Sequence, residues 1–305
     1  MTIRHALLTL VLLTLGAAAQ GQETAYDIVM TRPFEIGQRF HYRGEGMFMQ
    51  KTGGVVLGQE DTTPPRKYVM RMESRMTVGA VDDKGRALGA VHVIESCVMT
   101  QDGRAVRTFR PGSVLKVTRD EFETEYEIDG AMAAGEEKMM FELLASLDAN
   151  GATEDEMYGT AQPRLVGETW PISSERMAAD FQKQTAQSIS VEQIAGETRF
   201  VEVTEHDGQR CARLHTEFTT TDFIPGLEAL PADAELLAAG MAAQFEGFYP
   251  VDLTKQWLAR SGQVVIDFSM RQPGVGVLRS ETTLVINFQL SPIESPTVAT
   301  AGERD

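Results

Sequence analysis

Most residue types that carry specialised chemistry are scarce in this 305-residue chain. There are two cysteines, Cys97 and Cys211, which excludes the disulfide scaffold of small secreted domains. The five histidines are scattered, and neither H-E-x-x-H nor C-x-x-C occurs, so the common zinc arrangements are missing. No G-x-S-x-G marks a hydrolase nucleophile. Positive charge is also short. With 28 Lys and Arg against 44 Asp and Glu, the formal charge is −16. That argues against nucleic acid, whose phosphates demand a basic surface, and against docking on anionic lipid by charge alone. The 21 arginines outnumber the seven lysines but are dispersed, as genomic coding bias would leave them.

What is present begins with a leader. Arg4 and His5 precede the apolar run Ala6 to Leu15, and Ala17-Ala18-Ala19 follows as a small-residue cleavage site. This is the layout of a secretory signal peptide over residues 1–19. No cysteine follows the cleavage site to take a lipid, and no later run is long and apolar enough to cross a bilayer. The reading is an exported protein, periplasmic or extracellular, with no membrane span after cleavage. Export permits a disulfide, so a Cys97–Cys211 bridge is weighed against two separate thiols.

Period-2 alternation dominates the rest. Tyr68, Met70, Met72, Met76 and Val78 alternate with Lys67, Arg71, Glu73 and Arg75, which is a half-buried strand. Asp82 to Gly85 turns the chain and residues 86–99 return, giving a long hairpin. A second hairpin is expected from 105–119 with 121–129. The clearest pairs Val264, Ile266, Phe268 and Met270 with Leu284, Ile286, Phe288 and Leu290 across a Pro273-Gly274 turn. Helices are expected at 135–147, from Ser173 to Phe181, and from Pro231 towards Phe245. The fold class is therefore mainly β (α+β). It is a large curled antiparallel sheet or two tandem antiparallel sheet units, with two or three helices packed on the sheet. Strands this long favour the curled sheet. The organisation reads as a β-rich half at 20–148, an acidic connection at 149–163, a second β-rich half at 164–290 and a mobile tail at 291–305.

An internal echo supports duplication of a sheet-forming unit. Ile36-Gly37-Gln38-Arg39-Phe40 resembles Val166-Gly167-Glu168-Thr169-Trp170, and the hairpin around Gly85 resembles the one around Gly208. These segments, with the closing Glu281-Thr282-Thr283-Leu284, resemble a family of uncharacterised, secreted, β-rich bacterial proteins, a domain of unknown function. Phe40 stands where that pattern has Trp. The resemblance implies an exported sheet protein and supplies no catalytic residues. At the level of architecture alone, the chain is similar to envelope half-barrels that carry lipids or lipoproteins.

Candidate chemistry is thin. Ser113-x-x-Lys116 and Lys51-Thr52-Gly53 match penicillin-binding motifs, but in the wrong order, and Ser113 and Lys116 fall on opposite faces of a strand. Glu121, Glu123, Glu125, Glu127 and Asp129 line one strand face opposite a basic segment, which suits cross-strand pairing better than catalysis. Asp148, Asn150, Glu154, Asp155 and Glu156 lack the spacing of a calcium loop. Met47, Met49, Met70, Met72 and Met76 offer thioethers, which fit a sheet core better than a copper site. No catalytic residue, metal site or cofactor is assigned.

The leading expectation is a non-enzymatic binding or scaffolding protein of the cell envelope. Its concave apolar face, with Tyr68, Met70, Met72 and Met76, would take a lipid-like or peptide ligand. The alternatives are a module that joins an envelope protein through sheet edges, and an exported hydrolase that needs His92 or His215 beside a carboxylate in a cleft. Intact-mass analysis of the exported fraction is expected to give a chain starting near Gln20; an unprocessed product retained in the cell overturns the leader reading.

Overall fold

The computed structural model describes residues 24–56, 59–61, 63–119, 123–147, 151–184, 189–223, 233–256 and 258–293. The leader at 1–19, most of the tail, Glu121, Asp148, Asn150 and Pro231 lie outside them. In chain order the strands are β1 (Arg39–Val56), β2 (Gln59–Asp61), β3 (Arg66–Val81), β4 (Ala87–Gln101), β5 (Arg104–Phe109), β6 (Val114–Arg119) and β7 (Thr124–Ile128). There follow β8 (Ala131–Met132), β9 (Thr169–Pro171), β10 (Ile194–His206), β11 (Gln209–Thr221), β12 (Glu235–Pro250), β13 (Leu258–Gln272) and β14 (Gly276–Pro292). Three helices interrupt them: α1 (Gly135–Ala145), α2 (Glu154–Tyr158) and α3 (Ser174–Gln184).

All the strands belong to one antiparallel sheet ordered β8-β7-β6-β4-β3-β1-β14-β13-β12-β11-β10-β9, with β2 on β1 and β5 on β4. The sheet is mainly β architecture of the single, continuous kind, not two tandem units. Its middle is the seam between the first and last long strands, β1 and β14, paired from Phe40↔Pro292 to Val56↔Gly276. The sheet is open, and its two edges are strands of two and three residues.

The curl follows from what α1 touches. This helix packs on β1, β3, β7 and β14. Laid flat, β7 and β14 would stand about 24 Å apart, whereas a helix of this length is only about 16 Å long and 10 Å across. The sheet therefore bends round the helix. Its apolar residues Met140, Phe141 and Leu144 are buried in one cluster with Phe40, Tyr42, Met70 and Leu115. Two glycines on β1 allow this approach. A Cβ on Gly46 would stand 3.0 Å from Leu143 and 3.1 Å from Leu144, and one on Gly44 would collide with the Tyr42 ring. The Tyr42 hydroxyl donates to the Leu144 carbonyl at 2.5 Å and fixes the end of α1 to the strand.

A second cluster joins α3 to β10, β11 and β12 through Met177, Phe218, Phe223 and Met241. As expected, Ser173 caps α3, its hydroxyl accepting from the Arg176 amide at 3.4 Å. The third cluster holds an extended strap, residues 24–35, whose Ile28 and Met30 are buried against Trp170, Phe200 and Tyr249. The strap has no ladder. Tyr26 bridges to Arg164, Asp155 accepts from the Met30 and Thr31 amides at 2.7 and 2.9 Å, and Phe34 donates to Gly85 at 2.7 Å.

The internal echo is the same turn built twice. Gly37 has φ +86° and donates to Val78 O at 2.8 Å, while Val78 donates back to Gln38 O at 2.9 Å. Gly167 has φ +90° and donates to Phe200 O at 2.7 Å, while Phe200 donates back to Glu168 O at 2.9 Å. In both, the side chain three residues on closes the loop: Gln38 Oε1 on the Glu35 amide and Glu168 Oε2 on the Leu165 amide, each at 2.9 Å. Only glycine takes that backbone at little cost.

Two expectations are corrected. Pro231 lies outside the described residues, and from Glu235 the helix expected towards Phe245 is instead β12, because β11 and β13 present hydrogen-bonding edges on both sides and the ladder overrides Ala and Leu propensity. Residues 105–119 are not one strand. They break at Arg110-Pro111-Gly112, so β5 pairs with β4 and only β6 pairs with β7, where Lys116 faces Glu127. Of the two alternatives for the cysteines, the structure has two separate thiols: Cys97 and Cys211 are both free and buried. They sit on β4 and β11, with five strands between them in the sheet order, and belong to different apolar clusters. Burial pushes the Cys97 thiol up to about 12, so it is unreactive.

Phe141 is fully buried between Phe109 and Tyr126, at ring distances of 5.6 and 6.1 Å. Phe141→Ala is expected to destabilise the protein by about 3–5 kcal/mol in urea unfolding. A loss under about 1 kcal/mol would mean that α1 does not fill the curl.

Candidate ligand-binding cavity

Between α1, the strap and the concave strands lies a cavity of about 780 Å³. Pockets that hold small molecules span about 300–1,000 Å³. Its floor is the β1–β14 seam, with Tyr42, Ile286, Phe288 and Leu290. Leu143 and Leu144 of α1 form one wall, and Met30 and Phe34 of the strap form another. Tyr42 stacks on Phe288 at 6.5 Å and meets His92 edge-on at 5.4 Å, so the floor is a packed aromatic surface.

Of the residues expected to bind on the apolar face, only Met76 lines this cavity. Met70 and Met72 are fully buried in the core that α1 covers. Tyr68 lies under the start of the helix and donates to Glu136 Oε1 at 3.3 Å. Alternation identified the concave face, but Gly44 and Gly46 decide which part of it the helix occupies. The closing strand carried a readable signal in Ile286, Phe288 and Leu290. The strap residues carried none, since an aperiodic segment has no face to read.

Polar groups also line the cavity. At the strap end, Arg260 pairs with Glu154 and donates to the Tyr249 hydroxyl at 3.0 Å, and that hydroxyl donates to Glu154 at 3.3 Å. Arg32 Nη2 donates to Pro250 O at 3.1 Å, and Gln256 Nε2 to Pro33 O at 2.9 Å. Burial lowers the Arg32 pKa, partly offset by Asp155 and Asp252. Arg119, Lys183 and Asp180 also line it; burial raises the Asp180 carboxyl, against a backbone hydrogen bond and the nearby cations. Four buried atoms here find no hydrogen-bond partner among the described residues: Thr31 Oγ1, Arg32 Nε, Gln256 Oε1 and Arg119 Nε.

The groups considered for catalysis are not assembled. His92 lines the cavity, and its Nδ1 shares a hydrogen bond with Ser74 Oγ at 3.0 Å, but burial holds the imidazole down to about 4 and its pKa shift has no carboxylate contribution. His215 stands 3.7 Å from Glu217 on a solvent-facing part of β11, not in a cleft. Ser113 precedes β6 while Lys116 points outward from it. Asp155 and Glu156 are engaged in the strap and in the cap of α2, and no cluster of metal-ligating side chains occurs among the described residues.

No protein-family model matches the chain, and no curated protein matches it. Among solved structures, it is similar to one of lipovitellin described by its lipid–protein interactions, at 10% identity and a TM-score of 0.33, over 87% of this chain and 26% of that one. The chain thus spans about a quarter of lipovitellin's length. It also overlaps a conserved protein of unknown function with a hot dog fold from Alicyclobacillus acidocaldarius, at 9% identity and a TM-score of 0.12, over 88% and 83% of the two chains. Overlaps this loose carry neither fold nor ligand across, so the cavity is read from its own residues.

His92 gives a pH test. Its pKa is about 4 when folded and 6.5 ordinarily. As pH falls through that window the unfolded chain binds a proton and the folded chain does not, so stability declines, by about 3 kcal/mol from this group. His92→Gln is expected to remove that part of the decline. The gap between wild-type and variant urea midpoints should narrow from neutral pH towards the lower limit, whereas parallel curves would show that His92 is not buried in its neutral form.

Proposed function

We propose that this is an exported, non-enzymatic binding protein of the cell envelope that holds an apolar small molecule between α1, the strap and the β1–β14 seam. One observation carries the reading: the helix covers the concave face only in part, and about 780 Å³ with an aromatic and aliphatic lining remains beside it. Apolar walls with a few convergent polar groups are the general design of a ligand pocket. A filled concavity would have removed this reading.

The competing reading, partner capture through sheet edges, has less support. Among the described residues, the terminal strands β8 and β9 are only two and three residues long, although β5 and the Glu202–His206 part of β10 are also paired on one side only. Short edges limit strand addition, and this reading leaves the cavity without a role. For the hydrolase reading, the described residues near His92 offer Ser74 but no orienting carboxylate.

Native mass spectrometry after mild extraction is expected to show a co-purifying amphiphile, and the delipidated protein should take up a hydrophobic dye. Blocking the cavity with Leu290→Trp should reduce dye uptake at least several-fold. Dye uptake that is absent in wild type, or unchanged in that variant, overturns the proposal.

A further inference from the structure

The charge inside the cavity runs opposite to the charge of the protein. The whole chain is −16, yet the cavity lining holds four cationic side chains, Arg32, Arg119, Lys183 and Arg260, and two carboxylates, Glu154 and Asp180. Glu154 is already paired with Arg260, and Asp180 feels both Lys183 and Arg119. That leaves Arg32 at the strap end. Its guanidinium has five donors and, among the described residues, one hydrogen bond, to Pro250 O at 3.1 Å. No described carboxylate comes within ion-pair distance of it, because Asp155 is turned to the Met30 and Thr31 amides and Asp252 to Thr254. Its Nε is buried and unpartnered among the described residues, as is the neighbouring Thr31 hydroxyl.

A buried donor without a partner is costly, and a guanidinium edge is best satisfied by a planar anion that accepts two hydrogen bonds. The burial that lowers the Arg32 pKa would be offset by the same anion. Gln256 Oε1 is the exception at this end, since it only accepts. The apolar floor of Ile286, Phe288 and Leu290 continues from the same space.

We infer that the ligand is an anionic amphiphile, with its carboxylate-like headgroup held by Arg32 and Thr31 and its hydrocarbon chain along the β1–β14 seam. The inference rests on the cavity being a binding site, as proposed above, and names what it selects.

Titration calorimetry with dodecanoate, dodecanol and dodecylammonium at neutral pH separates the two ideas. Dodecanoate is expected to bind roughly tenfold or more tightly than dodecanol, the range of a charge-assisted hydrogen bond, with dodecylammonium weakest. Arg32→Gln should abolish that preference by weakening dodecanoate binding roughly tenfold, and Arg32→Lys should restore part of it. If Arg32→Gln does not fold, the ranking of the three ligands on the wild-type protein decides alone. Equal affinity for dodecanoate and dodecanol overturns the headgroup inference and leaves the apolar cavity standing. An unchanged preference in folded Arg32→Gln overturns the role of Arg32. Binding of none of the three removes the cavity reading itself.

Discussion

The main-chain ladder between β1 and β14 is the constraint on which the rest of the molecule depends. It joins the first long strand to the last and turns two runs of hairpins into one sheet. The curl is shaped by what that sheet must cover. On one side it bends round α1, on the other it packs against α3, and each helix buries its own apolar cluster. Hydrophobic burial closes both flanks, but neither helix reaches the full length of the seam. The space left in the middle is thus a consequence of two cores sharing one sheet.

The strap fits the same picture. Ile28 and Met30 bury apolar surface against the second-repeat turn at Trp170, while Phe34 packs edge-on with Phe40 of the first, at 5.7 Å. A segment without a ladder must satisfy its backbone one group at a time, and the Asp155 carboxylate does so for two consecutive amides. Gln256, which donates to Pro33 O of the strap, and the strap's own Arg32, which donates to Pro250 O, also line the cavity, so part of its polar lining comes from the way the strap is held.

Much of this architecture was legible. Alternation in Tyr68 to Val78 and in Val264 to Met270 marks real strands, and the Met139 to Leu147 stripe marks a real helix. The repeated Gly37 and Gly167 turns were visible as short matching words. β12 was misread because Ala238, Ala239, Ala242 and Ala243 favour a helix locally, yet Met241, Ala243, Phe245 and Tyr249 also alternate, and tertiary pairing selects that pattern. Cys211 alternates with Arg213 and His215, a pattern that points to a polar face, but it is fully buried. The cavity was legible only in outline. Which methionines are core and which face open space depends on how closely α1 approaches β1, a distance set by two missing side chains at Gly44 and Gly46. Arg32 lies in a stretch with no period, so only three-dimensional placement gives it meaning.

The seam also imposes an order of events on the growing chain. β1 is made early and finds its β14 neighbour more than two hundred residues later. Until then its whole length is an unpaired edge on that side, and the floor beneath Tyr42 has only one half. Such long-range pairing slows folding, and it defers completion of the sheet until β14 has been made. The floor of the cavity is therefore assembled only when the last ribbon meets the first.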